Sequence, residues 1–399
     1  MSHEHGVQTR LTRNGVHMAF VALFAALGGS VRGFNLLVIL AGLIIGILLM
    51  QWRFSRVLLP GLSARRMLPR EAFAKTPFKV RFAVANGRWW LPAWLIRIED
   101  KILAIDSALP PAQAGCSLSM IRPSSSEATQ YDCTFSRRGH YQFGPLRLTT
   151  GFPFGLTRAA KNAAAVAPLT VFPRLATLRP QWIGVIENRR DGLSASRHSS
   201  GPSEGDFYGI RRWQTGDSRR WIHWRTTARI GNLAVRQFEH LNRTELSLLV
   251  DPYSLDDADS NAVEWAISVA AAMVQHLAVQ NHPHLVLGIA DAAKTVVASN
   301  RVPSFRTAAL HALAGVRCLE QPPLDTTLAA MFASINPHQP IVVVSPRPAR
   351  MDLLRSGQGP GGARFSPLLF DKLDILWLDV TSPSSERIAY RREEMHGQA

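Results

Sequence analysis

Two apolar stretches near the N-terminus dominate the hydrophobic pattern of the chain. No Lys, Arg, Asp or Glu occurs from Asn14 to Val31, and none occurs from Gly33 to Trp52. Each window is close to the roughly 20 residues that an α-helix needs to cross a hydrocarbon core of about 30 Å. Only a short turn around Arg32 separates the two windows. The pattern predicts a two-helix transmembrane hairpin over residues 14–52.

Basic residues flank this hairpin unequally. Arg10 and Arg13 precede it, and Arg53 opens a longer basic group behind it, whereas Arg32 alone lies in the turn. The positive-inside rule therefore predicts that both termini are cytoplasmic, with a short tail over residues 1–13. A cleaved signal peptide is an alternative for the first window. The second window would still anchor the mature chain, which favours the hairpin.

From Phe78 the pattern alternates with a period of two. Phe78, Val80 and Phe82 fall on one face and charged or small residues on the other, until Asn86-Gly87 supplies a turn. Further short alternating runs, punctuated by Pro and Gly, follow to about residue 150. Such a pattern is typical of antiparallel sheets. We expect an immunoglobulin-like β-sandwich over residues 70–173.

Residues 174–204 carry many Ser, Gly and Arg and little periodicity, as linkers do. Beyond them, buried strands are predicted at Leu246–Val250, Leu285–Ala290, Ile341–Val344 and Ile375–Leu378, and a buried helix at Asn261–Gln280. This alternation predicts an α/β domain with an open, mostly parallel sheet. The domain and the segment that leads into it occupy residues 205–385, and a C-terminal tail follows over residues 386–399.

Net charge indicates the classes of partner, and cysteine content indicates the cellular compartment. A formal net charge of +16 suits acidic partners, anionic lipid headgroups or nucleic acid. A basic cytoplasmic face beside an anionic membrane accounts for the same charge. The three cysteines, Cys116, Cys133 and Cys318, show neither metal-site spacing nor the even number of a disulfide framework. Reduced, packed thiols in a cytoplasmic compartment are the expectation.

The most distinctive stretch of the chain runs from Gly205 to Glu239. It reads GDFYGIRRWQTGDSRRWIHWRTTARIGNLAVRQFE and contains the runs Gly209-Ile210-Arg211, Gly216-Asp217, Arg220-Trp221-Ile222-His223-Trp224, Ala228-Arg229 and Leu233-Ala234-Val235-Arg236. These runs resemble the signature of a bacterial family known as domain of unknown function 58. Two upstream runs, Arg137–Pro145 and Gly151–Leu156, look like the sandwich-domain motifs of that family.

This resemblance implies a von Willebrand factor A-like fold for the C-terminal part. It also implies a partnership with a MoxR-type AAA+ ATPase, because members of the family are typically encoded beside such ATPases. On this basis we expect the chain to be a non-enzymatic adaptor or assembly factor in the bacterial cytoplasmic (inner) membrane. The expected partners are the ATPase, the lipid bilayer and other envelope proteins, and no cofactor is expected.

The signature carries the residues that we expect to serve as a partner-binding surface or scaffold: Arg211, Gly216, Asp217, Arg220, Trp224, Arg229 and Arg236. One interpretation is structural: Asp217 pairs with Arg220 or Arg229 to hold a loop, and the tryptophans pack into the core. The other is a docking surface for an acidic or aromatic partner, because Arg and Trp are enriched at binding hot spots.

Von Willebrand factor A domains often bind Mg²⁺ through an Asp-x-Ser-x-Ser loop, since hard cations prefer oxygen ligands. The corresponding loop here reads Asp251-Pro252-Tyr253-Ser254-Leu255, and Ser345-Pro346 stands where metal-binding relatives often have Asp-Gly. Only Asp251 and an offset Ser254 remain of this degenerate loop, so no metal site is expected. Asp256, Asp257 and Asp259 are expected to cap the helix that begins near Asn261, although a weaker cation site there stays open.

Other candidate chemistry is weak. Cys133 and His140 could pair as thiol and imidazole, but Cys133 sits at a core position of an alternating strand. His223 lies between Ile222 and Trp224, as a hydrogen-bonded scaffold residue would. Residues 357–362 are glycine-rich without a following Lys-Ser or Lys-Thr, which indicates a flexible loop. We therefore expect no catalytic residue.

Two alternative functions stay open at this point. One is a metal-dependent hydrolase that uses Asp251 with the acidic cluster at residues 256–259. The other is nucleic-acid binding by the arginine-rich signature, whose aromatic residues are interleaved with arginines. Acidic residues are mixed into that signature and no known nucleic-acid module matches it, which disfavours the second alternative.

Overall fold

The computed structural model describes residues 7–106, 110–163, 166–186, 207–214, 217, 219–238, 246–255, 260–280, 284–299, 301–335, 339–351, 354 and 374–391. The chain divides into two compact units. The N-terminal unit comprises Met1–Leu175 with Leu310–Val316, and the C-terminal unit comprises Ala176–Ala309 with Arg317–Ala399. Within the predicted linker, Thr177–Leu178 form a short strand, and residues 187–204 lie outside the described residues.

Two long apolar helices open the N-terminal unit, α1 (Arg13–Arg32) and α2 (Asn35–Leu58). Thr12 caps α1 by accepting a hydrogen bond from the Gly15 amide at 3.2 Å. Gly33 ends α1 with a φ of 67°, a left-handed conformation that glycine adopts at little cost. Helix α2 continues past the predicted end of the hairpin at Trp52, because its last turns pack against the folded part of the unit.

Both helices are long and apolar enough to span a membrane. Only 17% of the apolar window in α1 and 11% of that in α2 is buried, which suggests membrane association. A further helix, α4 (Ser260–Val279), has a comparable length and composition, but 67% of its window is buried. Its burial shows that α4 is a core helix of the C-terminal unit.

The strands of the N-terminal unit are β1 (Gln8–Leu11), β2 (Leu62–Met67), β3 (Ala72–Phe73), β4 (Phe78–Asn86), β5 (Ala93–Ala104), β6 (Ala112–Ile121), β7 (Ser126–Cys133), β8 (Gly139–Phe143), β9 (Leu146–Thr150), β10 (Thr157–Ala163) and β11 (Ala167–Phe172). Among the described residues they form one sheet in the order β1-β10-β9-β5-β8-β11-β3, with β6 paired to β5, and a second sheet in the order β2-β4-β7. Strand β1 lies within the predicted N-terminal tail, and its pairing with β10 gives that segment a defined structure.

The two sheets bury a common hydrophobic core. Val80 and Phe82 of β4 contribute to it from one sheet, and Ile96, Ile98 and Leu148 contribute from the other. The alternation predicted from Phe78 onward is confirmed in β4, where buried and more exposed positions alternate. This alternation arises because successive side chains of a strand point to opposite faces.

The remaining elements are the strands β12 (Thr177–Leu178), β13 (Phe207–Arg212), β14 (Ala234–Phe238), β15 (Ser247–Val250), β16 (Leu285–Ile289), β17 (Thr295–Ser299), β18 (Ile341–Ser345), β19 (Ile375–Asp379) and β20 (Ala389–Tyr390), and the helices α3 (Trp224–Ile230), α4, α5 (Val302–Ala314) and α6 (Leu324–Met331). A five-stranded sheet has the order β17-β16-β15-β18-β19. Its strands are parallel except for the edge strand β17, which runs antiparallel to β16.

The buried strands predicted in the α/β part are all present. Strands β15, β16 and β18 are buried along their whole length, which explains why they read as continuous apolar runs without alternation. Strand β17 was not predicted, because a half-buried edge strand leaves a weaker apolar signal. The N-terminal apolar helices and the mixed α/β sheets are thus established.

Candidate functional site

The signature segment folds as a β-hairpin associated with the short helix α3. Strands β13 and β14 pair antiparallel, with Arg212 opposite Ala234. The Trp213 amide extends this pairing by donating to the Leu233 carbonyl at 2.9 Å, and the His223 amide donates to the Ala234 carbonyl at 2.8 Å. The hydrogen bonds tie the loop between the strands back onto β14.

His223 holds the start of helix α3. Its ring Nδ1 accepts a hydrogen bond from the Thr226 amide at 3.3 Å and lies 2.8 Å from Thr226 Oγ1. At the next position, Thr227 Oγ1 accepts a hydrogen bond from the Ala234 amide at 3.0 Å. The imidazole therefore has a capping role, consistent with the scaffold interpretation of His223.

An ion pair closes the loop of the signature hairpin. Arg211 donates from both terminal nitrogens to Asp217, at 2.7 Å and 2.6 Å, and the Gln214 amide donates to the same carboxylate at 2.8 Å. The Arg211 and Gln214 hydrogen bonds lower the pKa of Asp217. The predicted partners of Asp217 were Arg220 or Arg229, and this pairing is wrong: the register of the hairpin places Arg211 beside the loop instead.

The outer surface of this module is basic. Ala234 and Val235 of β14 are buried, whereas six arginines of the module are exposed: Arg212, Arg219, Arg220, Arg225, Arg229 and Arg236. Trp224 is 67% exposed, so the prediction that it packs into the core is wrong. Gly216 and the acidic residues Glu204, Asp206 and Glu239 lie outside the described residues.

Asp251, at the carboxyl end of β15, meets an arginine. Arg347 Nε donates to Asp251 Oδ2 at 2.9 Å, and the Ser345 hydroxyl donates to the same oxygen at 2.8 Å. The guanidinium also lies 3.9 Å from the ring centre of Tyr253. The side chain of Asp251 is fully buried and that of Arg347 is 16% exposed. A side-chain cation thus pairs with Asp251, the one carboxylate in the degenerate loop at residues 251–255.

Burial raises the pKa of Asp251, and the contacts with Arg347 and Ser345 oppose that rise. Ser254, the other residue retained in the loop, is buried, and its amide donates to the Leu319 carbonyl at 3.0 Å. Within the described part of the chain, no group of three or more His, Cys, Asp or Glu residues is placed to hold a metal. The acidic cluster at residues 256–259 and the glycine-rich run at 357–362 lie outside that part.

Cys133 packs against the core of the N-terminal unit. Burial raises the pKa of its thiol to about 11, whereas Cys318 is exposed. The thiolate is the nucleophilic form, so we expect iodoacetamide at pH 8 to alkylate Cys133 at least about tenfold more slowly than Cys318. Mass spectrometry of timed digests gives both rates.

Two variants serve as controls for this labelling. Cys318→Ser should abolish the fast phase, and Cys133→Ala should leave it unchanged. Raising the pH from 8 toward 10 should accelerate labelling of Cys133, because more of a high-pKa thiol ionises. Equal labelling rates at pH 8 would contradict the packed-thiol interpretation of Cys133.

Sequence reasoning missed three residues that carry buried polar contacts. Arg347 follows Ser345-Pro346 with nothing in the local pattern to connect it to Asp251. Arg66 pairs with Asp100 inside the N-terminal unit. Gln51 is fully buried near the end of α2, and a lone polar residue at the edge of an apolar window was the available signal. The partners of all three are distant in sequence.

Comparison with known proteins identifies a family match over part of the chain. A family profile described as "Protein of unknown function DUF58" matches residues 209–339. A curated Bacillus subtilis (strain 168) protein, described as "Uncharacterized protein YeaD", is 29% identical over 150 residues. This match covers 36% of the present chain and 34% of the relative, so the chain spans about a third of the length of the relative. Neither description indicates an enzyme class.

Solved structures resemble the chain only distantly. A CARDB domain from Pyrococcus furiosus is 10% identical with a TM-score of 0.18, over 28% of this chain and 94% of that domain. The sporulation control protein Spo0M from Bacillus subtilis is also 10% identical with a TM-score of 0.18, over 39% of this chain and 58% of that one. TM-scores this low do not establish a shared fold.

Proposed function

We propose that this chain is a membrane-anchored, non-enzymatic adaptor of the domain of unknown function 58 type that works with a MoxR-type AAA+ ATPase. The observation that carries the proposal is the combination of two lipid-suited helices with an exposed arginine-rich module. The asymmetric basic flanks support a topology in which both termini are in the cytoplasm of a bacterial cell and the hairpin is in the cytoplasmic membrane.

The anchor rests on the exposure of apolar side chains. Phe24 of α1 is 70% exposed and Leu36 of α2 is 79% exposed. Each CH₂ group transferred from water to an apolar phase contributes about 0.8 kcal/mol, so helices of this composition are stable in lipid rather than in water. A lipid bilayer would bury the exposed apolar side chains of both helices.

The docking surface rests on the signature module. Arg225 and Arg229 of α3 are exposed beside Trp224, and guanidinium groups match carboxylates bidentately. The Arg211–Asp217 ion pair and the His223 cap hold this surface in one conformation, which lowers the entropy lost on binding. An acidic surface on the ATPase is the complementary partner in this proposal.

The finer fold assignments belong to the same proposal. Two sheets around a common core are compatible with an immunoglobulin-like sandwich, and a parallel sheet with one antiparallel edge strand is compatible with a von Willebrand factor A-like domain. The occupation of Asp251 by Arg347 speaks against the hydrolase alternative, because a guanidinium at 2.9 Å takes the oxygen that a cation would need.

Co-purification tests the proposal. We expect the full chain, solubilised from membranes, to retain a MoxR-type ATPase under nucleotide-trapping conditions. Arg225→Glu with Arg229→Glu should weaken retention at least about tenfold, because two charge reversals face an acidic partner. Arg81→Glu with Arg122→Glu changes the net charge equally on the N-terminal unit and should leave retention unchanged.

Three outcomes would count against this function. The ATPase could fail to co-purify with the wild-type chain, or both double variants could retain it equally. Alternatively, Arg225 and Arg229 could govern affinity for DNA with a steep dependence on salt, which would favour the nucleic-acid alternative.

A further inference from the structure

Hydrogen bonds join the two helices of the hairpin to one end of the N-terminal unit. Gln51 of α2 donates to the carbonyls of Gly151 and Thr157, both at 3.0 Å, and accepts from the Leu156 amide at 3.3 Å. Thr12, just before α1, donates to the Gly155 carbonyl at 2.7 Å. Both helices are therefore fixed to the same loop at residues 151–156, which sets the orientation of the unit relative to the hairpin.

Strand register shows which other loops share this end. Leu62, just after α2, pairs with Asn86, and Ala93 pairs with Ile121. The loops at residues 87–92 and 122–125 therefore lie beside the loop at 151–156. If the hairpin spans a membrane, as the proposed function requires, these three loops face that membrane.

Helix geometry places this end at the headgroup layer. At a rise of 1.5 Å per residue, about 20 helical residues cover about 30 Å, the thickness of the hydrocarbon core. Helix α1 has 20 residues and begins at Arg13, and about the same distance along α2 leads from its start to Phe54. The Gln51 contacts are thus level with the boundary between hydrocarbon and headgroups.

Exposed aromatic residues at this end agree with that depth. Trp89 is 80% exposed, Trp90 is 53% exposed and Phe154 is 56% exposed. At the same end, the ring of Phe152 lies 5.7 Å from that of Phe54 on α2 and 5.7 Å from that of Trp94 on β5. Tryptophan is enriched at membrane interfaces, where an apolar ring meets polar headgroups. These side chains would be a liability in water.

A basic cleft opens at the same end. It has a volume of about 450 Å³ and is lined by Arg10, Arg13, Arg147, Arg158, Thr149 and Glu99 among others. This volume falls in the roughly 300–1,000 Å³ range of ligand sites. Four arginines face a single carboxylate, whose distance to Arg147 is 4.0 Å. The cleft therefore carries an excess of positive charge.

The strand register makes this charge unfavourable without an anion. Arg10 of β1 lies directly opposite Arg158 of β10. Like charges at directly opposed positions of an antiparallel pair destabilise the sheet. Register also puts Thr149 opposite Ala160, two residues along β10 from Arg158, on the same face. An anionic group between the arginines would offset the repulsion and accept their hydrogen bonds.

We propose that this cleft binds the phosphate-bearing headgroup of an anionic phospholipid from the membrane that holds the hairpin. The inference rests on the proposed membrane anchor and adds a specific lipid site to it. Arginine forks recognise phosphate bidentately, Arg13 at the start of α1 marks the headgroup level, and the aromatic side chains around the entrance hold this end in the interfacial layer.

Native mass spectrometry and thermal unfolding of the full chain test the proposal. The protein is delipidated in detergent and titrated with phosphatidylglycerol, with phosphatidylcholine, or with inorganic phosphate. We expect phosphatidylglycerol to bind and to raise the unfolding temperature, and phosphatidylcholine to do neither. Arg10→Gln with Arg158→Gln should weaken phosphatidylglycerol binding at least about tenfold. The matched control, Arg81→Gln with Arg137→Gln, removes the same charge from exposed positions outside the loops of the membrane end and should bind as the wild type does.

The unfolding temperature without lipid separates a binding role from a structural one. If the arginines serve an anion, Arg10→Gln with Arg158→Gln should be at least as stable as the wild type in detergent alone, because repulsion is removed. A loss of stability with and without lipid, or unchanged phosphatidylglycerol binding, would overturn the inference. Equal stabilisation by inorganic phosphate would assign the cleft to a free anion. Recovery of the wild-type chain in the soluble fraction would overturn the anchor as well.

Discussion

Arg66→Met is expected to lower the free energy of opening the N-terminal unit by about 3–5 kcal/mol, because it leaves a buried carboxylate without a counter-charge. The side chains of Arg66 and Asp100 are 2% and 0% exposed. Arg66 Nε donates to Asp100 Oδ2 at 2.8 Å, and the Tyr131 hydroxyl donates to the same oxygen at 3.2 Å. This network joins both sheets of the unit, since Arg66 lies on β2 and Asp100 on β5.

Hydrogen exchange measures this loss in the full chain. Amides of β2 and β5 should exchange about 10²- to 4 × 10³-fold faster in Arg66→Met, since 1.4 kcal/mol corresponds to a factor of ten. Tyr131→Phe removes one hydrogen bond to a charged group and should cost about 1.5–3 kcal/mol. Arg66→Met with Asp100→Leu should recover most of the protection. Protection within about 1 kcal/mol of the wild type in Arg66→Met would refute the argument.

The sign of the pH dependence provides a further check. Burial raises the pKa of Asp100, and Arg66 and Tyr131 oppose the rise. Without Arg66 the folded-state pKa rises further, so the ionised carboxylate destabilises the folded state above that pKa. As the pH falls through it, Asp100 takes up a proton and the destabilisation is relieved. The deficit of Arg66→Met should therefore shrink as the pH is lowered from 7.

Arg347→Ala should cost about 2–4 kcal/mol in the C-terminal unit, because Asp251 would then be buried without its cation. The estimate is below that for Arg66, since part of the Arg347 side chain reaches solvent. Faster exchange of the β15 and β18 amides would report the loss. Arg347→Ala with Asp251→Asn should recover part of it, because a neutral amide still accepts from Ser345.

Titration with Mg²⁺ distinguishes the adaptor from the hydrolase. With Arg347 in place, millimolar Mg²⁺ should leave exchange of β15 unchanged in the wild-type chain. Stabilisation by Mg²⁺ that Asp251→Ala abolishes, accompanied by a hydrolytic activity, would instead support the metal-dependent alternative and count against the adaptor.

The local hydrophobic pattern was sufficient to predict those elements whose structure depends on residues close together in the sequence. The alternation in β4, the apolar runs of β15, β16 and β18 and the two N-terminal windows each arise from a single element that meets one environment. Where a contact joins distant segments, local pattern was insufficient. Arg347 lies 96 residues from Asp251, and nothing between them indicates that parallel strands bring both to one sheet edge.

The membrane end illustrates the same limit. Gln51 is a single polar residue at the end of an apolar window, so the local pattern provided no reason to expect a buried contact there. Arg10 fell within the predicted N-terminal tail. Pairing of β1 with β10 turned that tail into one wall of a cleft. Likewise Asp217 pairs with Arg211 because a hairpin register, and not sequence proximity, decides which arginine reaches it.

The amino-acid sequence alone determined the two membrane-length helices, the change from an antiparallel to a parallel pattern and the arginine-rich signature, because hydrophobic periodicity and charge are local properties of a chain. Only the tertiary structure decided which charges meet: Arg66 with Asp100, Arg347 with Asp251, and Arg10 with Arg158. Ion pairs and like-charge contacts depend on distances of a few ångströms between segments, and those distances exist only after the sheets have formed.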